Sequence, residues 1–464
     1  MALINTSIIP ASPTFVKIKE APHELDYKAI CVFTALGFFL GTDTYWKNEK
    51  VLAPASINTI DEDGFLIKSE SWFKWYHKPR NIDLYQATKE FEKLFEKIIS
   101  EQGTGKNNIV PLSGGLDSRT QAVALKKLKL KVNSYSYSFE NGYKESSISK
   151  SLAKVGGFSF SEYVIPKSYL WDKIDSLAKI NNCYSEFTHP RQMAVIDEVA
   201  KLGECFSLGH WGDVLFDSEN YNTNLSDQEL CQILKKKIVK DSGMELANSL
   251  WESWKLDGSF ESYLNDRVLG LLNKIDIKNS SAKIRAFKSM YWAPRWTSVN
   301  LSIFETMAPI HLPYYDDRMC EFICELPEEI LSNRKVQIAY IKKNNKAMAE
   351  VVWQDAKPFN LYNSHLSKIP FNIPYRILNK LKRLLNSMMG NNFIQRNWEL
   401  QLVGEENNEN LIKYLFSKDL TNIINSEVVE KYYNLFTNTN KVYYSHSVSM
   451  LLTLSVFFKG SKNE

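Results

Sequence analysis

The sequence predicts an α/β protein: a parallel sheet with helices on both faces, preceded by a small β-rich N-terminal unit and followed by a helical C-terminal region. Three observations carry this expectation. Residues 109–112 form an apolar run of strand character that stops at Gly114-Gly115 and gives way at once to a helical pattern through residue 127. From residue 107 to about 208, strand-like and helix-like segments alternate, the signature of βαβ units. Beyond residue 225 the chain is aromatic-rich and lysine-rich, mostly helical in pattern, and without strand signals of comparable strength.

Taken in order, residues 1–80 alternate short apolar runs with turn signals: 30–40, 51–56, then Ile60 leading into Asp61-Glu62-Asp63-Gly64-Phe65. Asp63-Gly64 between apolar stretches predicts a hairpin. Residues 82–102 place Phe91, Leu94, Phe95, Ile98 and Ile99 at helical spacing and predict a linking helix. A strand is predicted over 130–139, where Val132, Tyr135 and Tyr137 stand among polar neighbours, then a helix over 145–156 closed by Gly156-Gly157. A strand over 160–165 stops at Pro166, helices follow over 171–180 and 191–202, and a short strand covers 205–208. The expected organisation is a β-rich unit at 1–80, the α/β domain at 81–360 and the helical region at 361–464.

Apolar content of 44% and charged content of 24% belong to a globular chain with ample core material. A net charge of +4 on 464 residues is close to neutral, so neither a nucleic-acid nor a membrane partner is expected. The apolar runs at 31–40 and 450–458 are too short to cross a bilayer, and no signal peptide is evident. Six scattered cysteines, without a companion Cys or His pair for zinc, read as buried thiols in a reducing, cytoplasmic setting.

The chemistry concentrates in Leu112-Ser113-Gly114-Gly115-Leu116-Asp117-Ser118. A strand, a glycine turn and a helix start together present unpaired backbone N–H groups to an anion. The glycines leave no Cβ in the way of a phosphate chain, Ser113 and Ser118 offer hydroxyls, and Asp117 offers a hard oxygen ligand for phosphate-bound Mg²⁺. The competing reading is an ordinary strand-to-helix turn. It is not the commoner phosphate loop, because Gly103-Thr104-Gly105-Lys106 is followed by Asn107 rather than Ser or Thr. A second loop, Leu208-Gly209-His210-Trp211-Gly212-Asp213, closes the strand at 205–208. In a parallel sheet it lies at the same edge, so Asp213 could face the same phosphates.

Residues 113–118 resemble the SGGxDS pyrophosphate loop of the ATP pyrophosphatase superfamily, and the chain looks like a divergent member of the asparagine synthetase family. Leu208 to Asp217 resembles that family's second loop. Tyr137-Ser138-Phe139 resembles its adenine-contacting strand end, and Glu145-Ser146 the acidic start of its next helix. Phe187-Thr188-His189-Pro190, Leu312-Pro313-Tyr314-Tyr315-Asp316-Asp317-Arg318 with Leu326-Pro327, and Leu52-Ala53-Pro54-Ala55-Ser56 are similar to further family segments. The resemblance implies an adenine nucleotide α-hydrolase-like synthetase domain that binds ATP and Mg²⁺, with PP-loop adenylation of a carboxylate. Leu112, Ser113, Gly114, Gly115, Leu116, Asp117, Ser118, Ser138, Phe139, Leu208, Gly209 and His210 would then meet ATP or pyrophosphate. Asp117 and Asp213 would hold the metal, and Lys335, in the cluster after Leu326-Pro327, would be the catalytic lysine.

The departures shape the expected function. Ala2 and Leu3 stand where the family's glutaminase cysteine would follow Met1, and the N-terminal unit is short for a glutaminase domain. Glutaminase activity is therefore not expected, and nitrogen should come from ammonia, a partner chain or an amine-bearing substrate. Pro309, Ile310 and His311 replace the family's Glu-Ala-Arg, and His210 and Trp211 alter the second loop. The expected activity is an ATP-dependent, AMP-forming amide ligase, its acceptor aspartate, a peptide carboxylate or a sugar carboxylate. A degenerate binding subunit is the alternative from another class. A tRNA-modifying enzyme would predict a basic face or zinc cysteines.

Overall fold

The computed structural model describes residues 1–143, 146–219, 221, 225–390 and 393–461. The N-terminal part holds strands β1 (Ala2–Asn5), β2 (Phe15–Lys17), β3 (Glu49–Val51), β4 (Ser56–Ile60) and β5 (Leu66–Ser71). They form an antiparallel three-stranded sheet in the order β1-β4-β5 and an antiparallel β2-β3 ribbon. The expected hairpin joins β4 to β5. Asp61 accepts the backbone N–H groups of Asp63 and Phe65 at 3.0 and 2.8 Å, and Gly64 sits at φ +84°.

The run at 30–40, expected to alternate among strands, is instead the helix Tyr27–Leu36. Asp26 caps its start by accepting from Ala29 N–H at 3.0 Å, and Gly37 ends it in the left-handed conformation. Everything from Ala29 to Leu36 is buried, so the helix is apolar all round and carries no one-sided period that a sequence could show. It belongs to the same buried apolar cluster as the central domain and the C-terminal helices. Polar ties cross between these regions. Ile8 N–H donates to Asp317 at 2.7 Å, Tyr45 hydroxyl to the Cys183 carbonyl at 2.6 Å, and Arg267 pairs with Asp43 at 2.6 Å.

The capped helix Leu84–Gly103 leads into the central sheet. Its strands are β6 (Asn108–Pro111), β7 (Val132–Phe139), β8 (Ser159–Ile165), β9 (Cys205–Ser207) and β10 (Ile310–His311). All pair in parallel, in the order β10-β9-β6-β7-β8. The two-residue β10 lies in the region where the sequence showed no strand signal of comparable strength; two residues carry no period.

From β6 the chain steps through helix Leu116–Lys127 to β7 and through helix Ser146–Gly156 to β8, then returns to the far side of β6 for β9. Right-handed crossovers place the outgoing and returning connections on opposite faces. The direction therefore reverses between β6 and β9, and a crevice opens at their carboxyl ends. Beyond residue 361 the described chain is helical, as expected, from Ile373–Met388 to the buried final helix Lys441–Gly460.

Candidate active site

The two loops singled out in the sequence meet at this crevice. Helix Leu116–Lys127 has Gly115 as its N-cap and no side-chain cap, so its first N–H groups lack a side-chain acceptor. Ser113 and Ser118 brace the turn: Ser113 N–H donates to Ser118 Oγ at 3.1 Å, and the two hydroxyls lie 3.0 Å apart. Gln354 Oε1 accepts the Gly114 N–H at 3.1 Å, and Gln354 N–H returns a bond to the Gly114 carbonyl at 3.1 Å. Below the loop, buried Arg119 donates to the carbonyls of Gly114, Met348, Val351 and Val352 at 2.7–3.3 Å. Leu112, Leu116 and Leu208 are buried.

The second loop comes up against the first at two glycines. A Cβ on Gly209 would stand 3.2 Å from the backbone of Asp117 and Ser118. On Gly212 it would stand 2.3 Å from Asp117 Oδ1 and 2.9 Å from the Tyr314 ring, inside any real contact distance. Only glycine lets the loop carry Asp213 this close to Asp117. Burial pushes the Asp117 carboxyl up to about 6, against the pull of Arg334, and the charge of Asp213 pushes the same way. Asp213 itself faces solvent. His210, beside Asp213, is driven down to about 4 by burial, so at neutral pH its ring is uncharged.

The cation on this acid is Arg334, which sequence reasoning passed over for its neighbour. Its guanidinium forms an ion pair with Asp117 Oδ1, and its Nε donates to Gln337 Oε1 at 2.6 Å. Gln337 Nε2 donates to Asp117 Oδ1 at 3.0 Å and to Tyr314 hydroxyl at 2.9 Å. Lys335 points elsewhere: its exposed ammonium donates to the Glu329 carbonyl at 2.8 Å. A tight turn makes the difference, since Asn333 and Arg334 both adopt left-handed backbone, at φ 57° and 61°. Asp217 holds that turn by accepting Asn333 N–H at 2.9 Å. Arg285 ties Asp217 in turn to Glu328, through the Asp217 carbonyl and a bidentate pair at 2.9 and 2.7 Å. The basic run 334–335 was the available signal; which member faced inward was not.

Ser138 and Phe139 end β7, one strand over from the first loop. Arg191 donates to Tyr137 hydroxyl at 2.9 Å and lies 5.8 Å from the Phe139 ring centre. Ile394 bridges to Gly142, and Phe393 stacks on Tyr143 at 4.5 Å, so a C-terminal segment lies against this strand end. Arg191 also lines a cavity of about 300 Å³ with Glu186, His189, Lys240 and Asn397. Glu145 lies outside the described residues; the helix it was expected to open runs over Ser146–Gly156.

Two carboxylates at one crevice suit Mg²⁺, which binds through one or two carboxylates plus phosphates and waters. Among the described residues no group of three or more His, Cys, Asp and Glu forms a self-sufficient metal cage. No family model matches the chain, and no curated protein matches it.

Proposed function

We propose that the chain is an ATP-dependent, AMP-forming amide ligase of the asparagine synthetase type, built on an adenine nucleotide α-hydrolase-like domain. The observation that carries the reading is the meeting of the two loops at Asp117 and Gly212, at the switch point of a parallel sheet. In the proposed reaction a substrate carboxylate oxygen bonds the α-phosphorus of ATP as pyrophosphate leaves. An amine or ammonia then bonds the acyl carbon, loses a proton, and AMP departs. The uncapped N–H groups at the start of helix Leu116–Lys127 and the serine hydroxyls would take pyrophosphate oxygens. Asp117 and Asp213 would hold the Mg²⁺ whose chemistry is to offset charge on the leaving group. Arg334, already at Asp117, places a guanidinium beside whatever the two carboxylates hold. All six cysteines are buried and burial pushes each thiol up, so none offers a thiolate for glutamine hydrolysis.

ATP–pyrophosphate exchange with a panel of amino acids, peptides and sugar acids tests the proposal. Exchange is expected with at least one carboxylate, falling at least 100-fold in Asp117→Ala. Exchange that survives Asp117→Ala removes the loop from the reaction. A second reading, a catalytically silent binding subunit, is favoured by Arg334 on Asp117 and Gln354 on Gly114; it predicts nucleotide binding without exchange.

A further inference from the structure

The segment 373–388 reads Ile-Pro-Tyr-Arg-Ile-Leu-Asn-Lys-Leu-Lys-Arg-Leu-Leu-Asn-Ser-Met and folds as one helix. At 3.6 residues per turn, Ile373, Ile377, Leu378, Leu381, Leu384, Leu385 and Met388 fall on one arc. Arg376 and Arg383 occupy the other side with the asparagines, and Lys380 and Lys382 stand on the two shoulders of the apolar arc. An ordinary surface helix buries such an arc; this one turns it outward. No residue of the helix is buried, and the half-buried ones, Tyr375, Asn379 and Asn386, belong to the polar side. Ile377, Leu378, Leu381, Leu384 and Leu385 are 51–65% exposed, and Met388 is 83% exposed. Ile369 and Phe371, just before the helix, are exposed as well. A row of this size exceeds the scattered apolar exposure of an ordinary surface and marks an interaction site.

We propose that this helix lies in the plane of a membrane surface and seats the chain on anionic lipid. Charge selects the occupant. There is no Asp or Glu between Asp355 and Glu399, while Lys357, Lys368, the four cations of the helix and Arg396 all lie there. Cations on both shoulders of an apolar arc match a flat interface, where the arc enters the acyl boundary and the lysines reach up to phosphate. A second copy of the chain would bring one basic helix against another. The helix does not cross the bilayer, since no described helix is long and apolar enough to do so. The near-neutral total charge, from which no membrane partner was expected, conceals this local excess. In sequence the helix is bracketed by Gln354, bonded at the Gly114 loop, and by Ile394, paired at the end of β7.

Flotation of the full chain with vesicles tests this independently of any catalysis. Wild type is expected to float with vesicles of phosphatidylglycerol and phosphatidylcholine, to float at least ten-fold less with phosphatidylcholine alone, and to be released by 0.5 M salt. Leu381→Glu/Leu385→Glu and Lys380→Glu/Arg383→Glu change only exposed side chains. Each is expected to lose at least ten-fold of the binding with an unchanged circular dichroism spectrum. Wild type that ignores anionic vesicles, or variants that float as well as wild type, overturn the proposal. So does a concentration-dependent dimer that Leu381→Glu/Leu385→Glu converts to monomer without any vesicle binding, because the face would then belong to a second copy.

Discussion

At the scale of single residues, the candidate site turns on one carboxylate and its neighbours. Asp117 receives Arg334 and Gln337 and is pressed by Asp213, so its protonation answers to three groups from two other parts of the chain. Arg334→Gln leaves the half-buried acid without its cation and removes charge beside the proposed pyrophosphate. Exchange is expected to fall at least 100-fold, whereas Lys335→Ala, whose ammonium bonds an exposed carbonyl, should stay within about three-fold of wild type. Equal losses in both variants would return the role to the lysine. Gly212→Ala should abolish exchange while barely changing overall secondary structure, because its methyl group would occupy the place of Asp117 Oδ1. Crystallisation of that variant with the two loops undisturbed would contradict the expectation.

At the scale of elements, the strand-turn-helix of the first loop was legible because each of its features is local. Apolar residues, two glycines and a helical pattern follow one another in the sequence. The turn that aims Arg334 was not legible. It depends on Asp217, Arg285 and Glu328, which come from three separate segments. Breaking the buried Arg285–Glu328 pair leaves an uncompensated charge, so Glu328→Ala should cost roughly 3–5 kcal/mol by urea unfolding. A second readout separates positioning from stability. Exchange measured well below the melting temperature should also drop in Glu328→Ala, because Arg334 loses its fixed turn. An unfolding cost with normal exchange would make the pair purely structural.

For the whole molecule, buried titratable groups set the response to acid. Burial pushes His210, His311 and His446 from 6.5 to about 4. The unfolded chain therefore takes up protons that the fold refuses, and stability present above pH 6.5 drains away as pH falls toward 4. Asp117 acts the opposite way. Its pKa is raised from 3.8 to about 6, so the fold binds that proton more tightly and gains as pH falls through the same window. Each pKa unit is worth about 1.4 kcal/mol, and three histidines outweigh one aspartate. The melting temperature should drop between pH 6.5 and 4, and less so in His446→Asn than in wild type. A melting temperature that rises on acidification would show that the carboxylates dominate.

The sequence by itself determined the alternation that makes the parallel sheet, the hairpin at Asp63-Gly64, the helical C-terminal region and the two glycine loops with their aspartates. These are short-range matters of period, turn chemistry and backbone freedom, and nearby residues suffice to specify them. Tertiary structure alone decided that the 30–40 run is helical through Leu36, since a stretch buried on every side has no polar face to betray its period. It also decided that Arg334 and not Lys335 meets Asp117, because a one-residue difference in direction comes from a turn fixed by distant partners. The amphipathic pattern of helix Ile373–Met388 stood in the sequence all along. Which side of it faced the body was a property of packing, and packing turned the apolar side out.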